Sequence, residues 1–315
     1  MKRQFVDGLQ EGDQVNDYFV AVRKDLRPQH SGGKFLGMVF KDRTGEIGGI
    51  LWNNAASIAQ MFEVGDVVNV RGNITRYQDR LQVRVDQVLP LRKEEYDNDD
   101  LVYVPEHISD TANRYRELVG TIQNEWLVKL LREFTGNDEL MARFEGAAAG
   151  KRWHHAYSGG LIEHCYEMSR IAETVCELFP ALDRDLLLTA IFFHDIGKVD
   201  EMSQDLCVEY TTEGKLLGHL IIGTQMLRDA ARRIEGFPQT LEMQLAHCIL
   251  AHHGEYANGS AVLPKTMEAV VLYHIDNLSA QANATERLVD EARERQQEWT
   301  EYITHMDRQL WTKRG

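Results

Sequence analysis

The stretch "FFHDIGK", Phe192–Lys198, sets a histidine and an aspartate at the end of an apolar run and follows them with a glycine and a lysine. The run that it closes, "DRDLLLTAIFFHDIG", reads as a helix that is apolar nearly all round and therefore buried. Neighbouring helical residues point about 100° apart, so His194 and Asp195 cannot stack on one face. At a helix end they can serve two adjacent centres. A carboxylate in such surroundings is costly unless a partner charge or a metal compensates it. Gly197 is expected to end the helix in the left-handed conformation, which would aim Lys198 into the same cavity.

Around this stretch lie further helical windows, among them "ANRYRELVGTIQNEWLVKLLREF", "GLIEHCYEMSRIAETVCELF", "LGHLIIGTQMLRDAARRI", "TLEMQLAHCILAHHG" and "PKTMEAVVLYHIDNLSAQ". They carry His164, His219, His252 and Asp276. With His194 and Asp195 these make a mixed nitrogen and oxygen set, which suits Mn, Fe or Co better than Mg alone. Two ions bridged by Asp195, about 3.5–4 Å apart, would polarise a phosphoryl oxygen and lower the pKa of water between them. In "AHHGE", His252 is read as the ligand, with His253 behind it or against substrate. Lys198 either contacts a phosphate or caps helix carbonyls, and His154 and His155 carry the same ambiguity between structure and substrate. A closing helix, roughly Ala284–Trp311, would present Trp299, Tyr302, Ile303, Met306 and Leu310 as a stripe for core packing or, second, for a partner.

The first part of the chain has a different period. From Val15 to about Leu91 it alternates apolar and polar residues in five short runs, "YFVAVRKDLR", "KFLGMVFKDRTG", "EIGGILWN", "DVVNVRGNITRYQD" and "RLQVRVDQVLPL", separated by turn signals. A short helical stretch, "AASIAQMF", falls between the third and fourth. Five strands with a helix there predict an all-β OB-type barrel, followed by an all-α bundle. Leu81, Val83 and Val85 would face inward, leaving Arg80, Gln82 and Arg84 to track a nucleic-acid backbone. Tyr77, flanked by Arg76 and Arg80 near a hairpin tip, is a candidate for contacting a base. Of Tyr18, Phe35, Phe40 and Trp52, most belong to the core; a base stacked on an aromatic is worth about 1–3 kcal/mol.

Charge follows the same division. The 315 residues sum to −14, which opposes polyanion binding over the whole surface. Residues 1–93 nevertheless hold 14 Lys and Arg against 11 Asp and Glu, and the remainder 21 against 38. The barrel is thus the basic part, residues 1–92. An acidic linker is expected over 93–112, with its run "KEEYDNDD", and the helical domain over 113–315. Four cysteines without C-x-x-C spacing suggest neither a zinc knuckle nor a disulfide framework and fit a reducing cytoplasm. No window approaches a membrane span, so no membrane partner is expected. Homo-oligomerisation stays open.

The order H…HD…H…H…D resembles the HD-domain metal-dependent phosphohydrolases. Over longer strings, "AAAGKRWHHAYSGGLIEH", "FFHDIGK", "GHLIIGTQML" and "HHGEYANGSAVLPKTMEAVVLYHIDNLSAQ", together with the preceding strands, the chain is similar to YhaM-type 3'-5' exoribonucleases across nearly its whole length. The resemblance implies an OB domain that holds single-stranded nucleic acid, RNA first, and an HD domain that releases nucleoside monophosphates from a 3' end with divalent metal. It places the metal positions on His164, His194, Asp195, His219, His252 and Asp276, and substrate contacts at Lys151 and Arg152. Two other readings compete: an HD phosphohydrolase of small nucleotides, although the "GYP" run of cyclic-di-GMP enzymes is missing, and a non-catalytic single-strand binder.

Overall fold

The computed structural model describes residues 1–29, 32–151, 153–203 and 205–313. It divides into two units: 1–104 with the short segment 205–209, and 105–203 with 210–313.

In the first unit the period-two pattern becomes β1 (Gln14–Pro28), β2 (Lys34–Asp42), β3 (Gly45–Leu51), β4 (Val67–Tyr77) and β5 (Arg80–Pro90), closed in the order β1-β2-β3-β5-β4. All neighbours are antiparallel except β3 and β5, which pair in parallel from Gly48↔Gln82 to Ile50↔Arg84. This is the expected five-stranded OB barrel. Alternate residues fill its interior, including Phe19, Leu36, Phe40, Val70 and Val83. The β4–β5 hairpin turns through Gln78 and Asp79, both left-handed at φ 47° and 60°, the backbone of a two-residue turn that matches strand twist. The expected helix after β3 is cut to one turn, α1 (Ala55–Ile58). Lys24 Nζ reaches over from β1 to bond the carbonyls of Ala59 and Phe62, which ends it.

The acidic run expected as a linker instead lies on the barrel. Residues 93–100 fold as two 3-10 turns, Tyr18 donates its hydroxyl to Asp100 (2.5 Å), and Leu101 is buried beside Tyr18, Val20 and Val67. Apolar residues on either side of the charges, Tyr96 and Leu101, hold the run down. The first helix of the second unit already begins at Ile108.

The second unit is built of α2 (Ile108–Val119), α3 (Glu125–Thr135), α4 (Asp138–Gly146), α5 (Gly160–Leu178), α6 (Arg184–His194), α7 (Lys198–Glu201), α8 (Thr212–Arg233), α9 (Gln239–Ala251) and α10 (Met267–Glu294). α6 is its axis. Every residue from Leu186 to His194 is buried, and α3, α5, α8, α9 and α10 pack around it. Asp183 caps its N-terminus by accepting from the Leu186 amide (3.0 Å). No helix among the described residues is long and apolar enough to cross a membrane.

The expected closing helix over Ala284–Trp311 is not formed. α10 stops at Glu294, Gln296 turns left-handed at φ 56°, and residues 299–311 return as a small antiparallel hairpin with bridges Trp299↔Trp311 and Ile303↔Arg308. Cross-strand pairing of the two tryptophans and burial of Thr300, Ile303 and Thr312 take precedence over helical spacing.

The barrel's N-terminus rests on a buried ion pair, Lys2 with Asp42 at 3.5 Å, both side chains fully covered. Removing one partner leaves a buried charge uncompensated, at a cost of about 3–5 kcal/mol. Lys2→Met is therefore expected to accelerate hydrogen exchange throughout β1 and β2 while leaving α6 unchanged. Unaltered protection in β1 would show that the pair contributes nothing.

Candidate metal centre

Five helices deliver the cluster. His164 comes from α5, His194 from the last position of α6, Asp195 from its C-cap, His219 from α8, His252 and His253 from the end of α9, and Asp276 from α10. The Asp195 carboxylate is the meeting point. Its Oδ2 lies 3.2 Å from His194 Nε2 and 2.6 Å from Lys198 Nζ, and its Oδ1 lies 3.4 Å from His219 Nε2 and 3.6 Å from His252 Nε2. On the far side His164 Nε2 sits 3.1 Å from Asp276 Oδ1. Among the described residues three groups with ligand atoms close together result: His164, His194 and Asp276; His219, His252 and His253; and His154, His155 and His164, which shares His164 with the first.

The histidines are held so that Nε2 faces inward. His194 Nδ1 donates to the Ile191 carbonyl (2.7 Å) and His252 Nδ1 to that of Ile249 (2.8 Å), each a bond back along its own helix. His219 Nδ1 is held by Glu201 Oε1 (3.0 Å), which also accepts the His219 amide (3.0 Å). His164 Nδ1 bonds Ser279 Oγ (3.0 Å), whose hydroxyl in turn donates to Glu167 (2.7 Å). Such outward partners fix the tautomer and raise the basicity of the inward nitrogen.

Two glycines make the approach possible. Gly197 is right-handed at φ −62°, not the left-handed cap expected, and its role is closeness. A Cβ there would stand 2.2 Å from the His219 carbonyl oxygen. Gly218, at φ 72°, kinks α8 immediately before His219.

Electrostatics sort the groups. Burial pushes the Asp195 carboxyl up, but Lys198, His194 and His219 outweigh it and hold it well below the usual carboxylate range. Burial likewise opposes the charge on Lys198 and on His194, and Asp195 overcomes it, so both are raised. Burial keeps His164 and His252 low, and with the help of His164 drives His154 down to about 2. The cluster thus sets His154, His164 and His252, held toward the neutral form, around an ionised carboxylate. His194 Nε2 and Asp195 Oδ1 are buried without a hydrogen bond, a state that proteins avoid unless something else satisfies the atoms. A divalent cation of borderline softness fits this donor set.

Of the other residues marked in the sequence, Lys198 bonds the Ala149 carbonyl as well as Asp195 and so ties the loop after α4 to the centre. His154 and His155 stand on that loop, their rings 4.9 and 5.3 Å from His164. Lys151 lies 5.9 Å from the Tyr210 ring. Arg152 lies outside the described residues. Glu201, Ser279 and Glu167 were not anticipated, because a carboxylate or hydroxyl behind a histidine leaves no spacing of its own in the sequence.

On the barrel, Tyr77, Arg80 and Arg84 share the outer face of β4 and β5, as the pairs Tyr77↔Arg80 and Asn73↔Arg84 require. Arg76 points elsewhere and pairs with Glu11 (3.2 Å). Across β5 the same face runs over Gly48 and Ile50 of β3 to Trp52, whose exposed ring meets Phe35 at 5.1 Å. Tyr18 and Phe40 are buried. The outer face therefore joins bare backbone, two arginines and an aromatic pair, the components of a single-strand platform.

These two sites define the class. The sequence matches the HD domain over residues 161–281 and the OB-fold nucleic acid binding domain over residues 20–91. HD chemistry depends on divalent metal, and the OB domain makes this a nucleic-acid-binding protein. The chain belongs to the YhaM 3'-5' exoribonuclease family. It is 31% identical over 308 residues to the 3'-5' exoribonuclease YhaM of Bacillus subtilis (strain 168), covering 96% of this chain and 95% of that protein. It is 32% identical over 306 residues to the same enzyme of Shouchella clausii (strain KSM-K16), covering 96% and 94%. Among solved structures, the second OB-fold domain of replication protein A from Methanococcus maripaludis aligns with 30% of this chain and 97% of its own, at 24% identity and a TM-score of 0.25.

Because Glu201 orients His219, Glu201→Gln should weaken metal binding about 10–100-fold, read by competition with a chromogenic chelator. Wild-type affinity in the variant would mean that Glu201 does not orient a ligand.

Proposed function

We propose that this protein is a metal-dependent 3'-5' exoribonuclease that shortens single-stranded RNA and releases nucleoside monophosphates. The convergence of three imidazole nitrogens and a lysine on the buried Asp195 carboxylate, with a second histidine–aspartate pair beside it, carries this reading. The names of the two relatives supply direction and substrate class. The donor set suits two ions, with Mn, Fe or Co preferred, and Asp195 would help to hold both. His164, His194 and Asp276 complete one set; His219 and His252, joined by His253, complete the other. When bound, such ions supply Lewis acidity toward a phosphoryl oxygen and lower the pKa of water.

The chain's own groups do the positioning. Asp195 and the inward Nε2 atoms fix where positive charge can be held, and Lys198 keeps the carboxylate aimed by pairing with Oδ2. In the reaction, water adds to the terminal phosphorus and the bond to the 3' oxygen of the preceding nucleotide breaks. A nucleoside 5'-monophosphate departs and a new 3' hydroxyl remains. We assign Lys151, His154 and His155, on the loop beside His164, and with them Arg152, to contacts with the phosphates on either side of that bond.

We assign capture of the strand to residues 1–92, through Trp52, Phe35, Tyr77, Arg80 and Arg84, and hydrolysis to the helical domain. Four cysteines without C-x-x-C spacing support a reducing, cytoplasmic setting.

A time course on 5'-labelled single-stranded RNA with Mn is expected to give a ladder shortening by one nucleotide at a time. Asp195→Ala should abolish it while strand affinity stays within about twofold. A variant keeping a tenth of wild-type turnover would sink the bridging role. In metal-stripped protein, Trp52→Ala should cost about 1–3 kcal/mol of strand affinity. Arg84→Ala should flatten the salt dependence of binding by about one unit of slope. Unchanged affinity and slope in both would move the capture surface elsewhere.

A further inference from the structure

The C-terminal hairpin has no part in the chemistry above, yet it builds a cavity. Arg293 Nε pins the hairpin to α10 by donating to the Thr312 carbonyl (2.7 Å). Between the last turns of α10, the hairpin and Trp153 lies a space of about 310 Å³, within the size range of small-ligand sites. Trp153, Tyr302 and His305 are its aromatic lining, the buried Ile303 adds apolar surface, and Gln297 and Arg295 add polar side chains. The Trp153 and His305 rings meet at 5.1 Å.

Two further observations suggest what it holds. The first is charge. Residues 94–315 carry 21 basic against 38 acidic side chains, but the cavity lining itself holds Arg287 and Arg295 against Glu291 and Glu301, with Arg287 paired to Glu291 (2.7 Å) and Asp307 bonded to the Tyr302 hydroxyl just outside it, so the lining is nearly balanced in charge. The second is continuity. Trp153 is one peptide from His154, whose ring lies 4.9 Å from His164, and Arg287 donates to the Trp153 carbonyl (3.2 Å), tying the cavity wall to the loop at the metal centre.

We propose that this cavity is a base-binding subsite for the substrate strand, in which a base on the 5' side of the cut bond stacks against Trp153 and Tyr302. The inference rests on the exoribonuclease reading. A flat heterocycle suits small aromatic walls with polar edges, because every base offers a π-face and the edge groups bond to its rim. Threading the strand past Trp153 would keep its last phosphate beside His164 while the upstream base is gripped.

The test uses the full-length protein and an oligoribonucleotide carrying 4-thiouridine next to its 3'-terminal nucleotide. Irradiated in EDTA, it should crosslink to peptides containing Trp153 or Tyr302. Tyr302→Ala and His305→Ala should each raise KM for a hexaribonucleotide about tenfold, as expected for the loss of one stacked contact, with metal content per chain unaltered. Crosslinks confined to the barrel, or an unchanged KM in both variants, would overturn the proposal. So would variants that change only the oligomeric state, since the hairpin would then join copies of the chain. Should the wild type fail to shorten RNA at all, the exoribonuclease reading itself falls; RNA shortening without crosslink or KM effect removes the subsite alone.

Discussion

A carboxylate buried at the end of an apolar helix governs the helical half of this protein. Asp195 is covered on all sides and remains ionised because Lys198, His194 and His219 face it. Low dielectric makes that arrangement demanding, since each partner must be close and correctly turned. The surrounding fold supplies this through α6 as a buried axis, the Gly197 contact that lets α8 come near, the Gly218 kink that presents His219, and the backbone bonds that turn His194 and His252 inward. Removing any one of these leaves the carboxylate with fewer partners.

Much of this was legible beforehand, for identifiable reasons. Alternation with period two announced the barrel strands, because a half-buried strand must alternate. The all-apolar run before His194 announced the buried helix. Asp195 was legible as a carboxylate that is costly at the end of an apolar helix, and the other ligand candidates as members of the H…HD…H…H…D order, since His164 or His219 alone says little. What the sequence hid was of another kind. Gly197 was read as a helix stop, whereas it serves a neighbour distant in sequence, and close approach leaves no local mark. The helix expected through Trp311 failed because apolar residues three or four apart can also fall on a hairpin, and the pairing of Trp299 with Trp311 decides between the two only in three dimensions. The acidic run after residue 92 looked like a linker by charge, while Leu101 and the Tyr18–Asp100 bond anchor it.

The two units divide opposite electrostatic tasks. The barrel holds the basic excess and presents it with exposed aromatic surface, which favours a flexible polyanion. The helical unit is acidic overall, and at its centre positive charge is concentrated at Lys198 and at the metal that the histidines can hold. That contrast favours a strand delivered end first over one bound along the helical surface. It also accounts for the placement of the ionisable cluster deep among helices, where its field is least screened.

Asp195 is proposed to help hold two ions, each with its own set of histidines. Anomalous diffraction from crystals grown with Mn tests it most directly. The account predicts two peaks flanking the Asp195 carboxylate, one beside His164, His194 and Asp276 and the other beside His219, His252 and His253. A single peak on one side, with the opposite histidines still bonded only to protein, would contradict it.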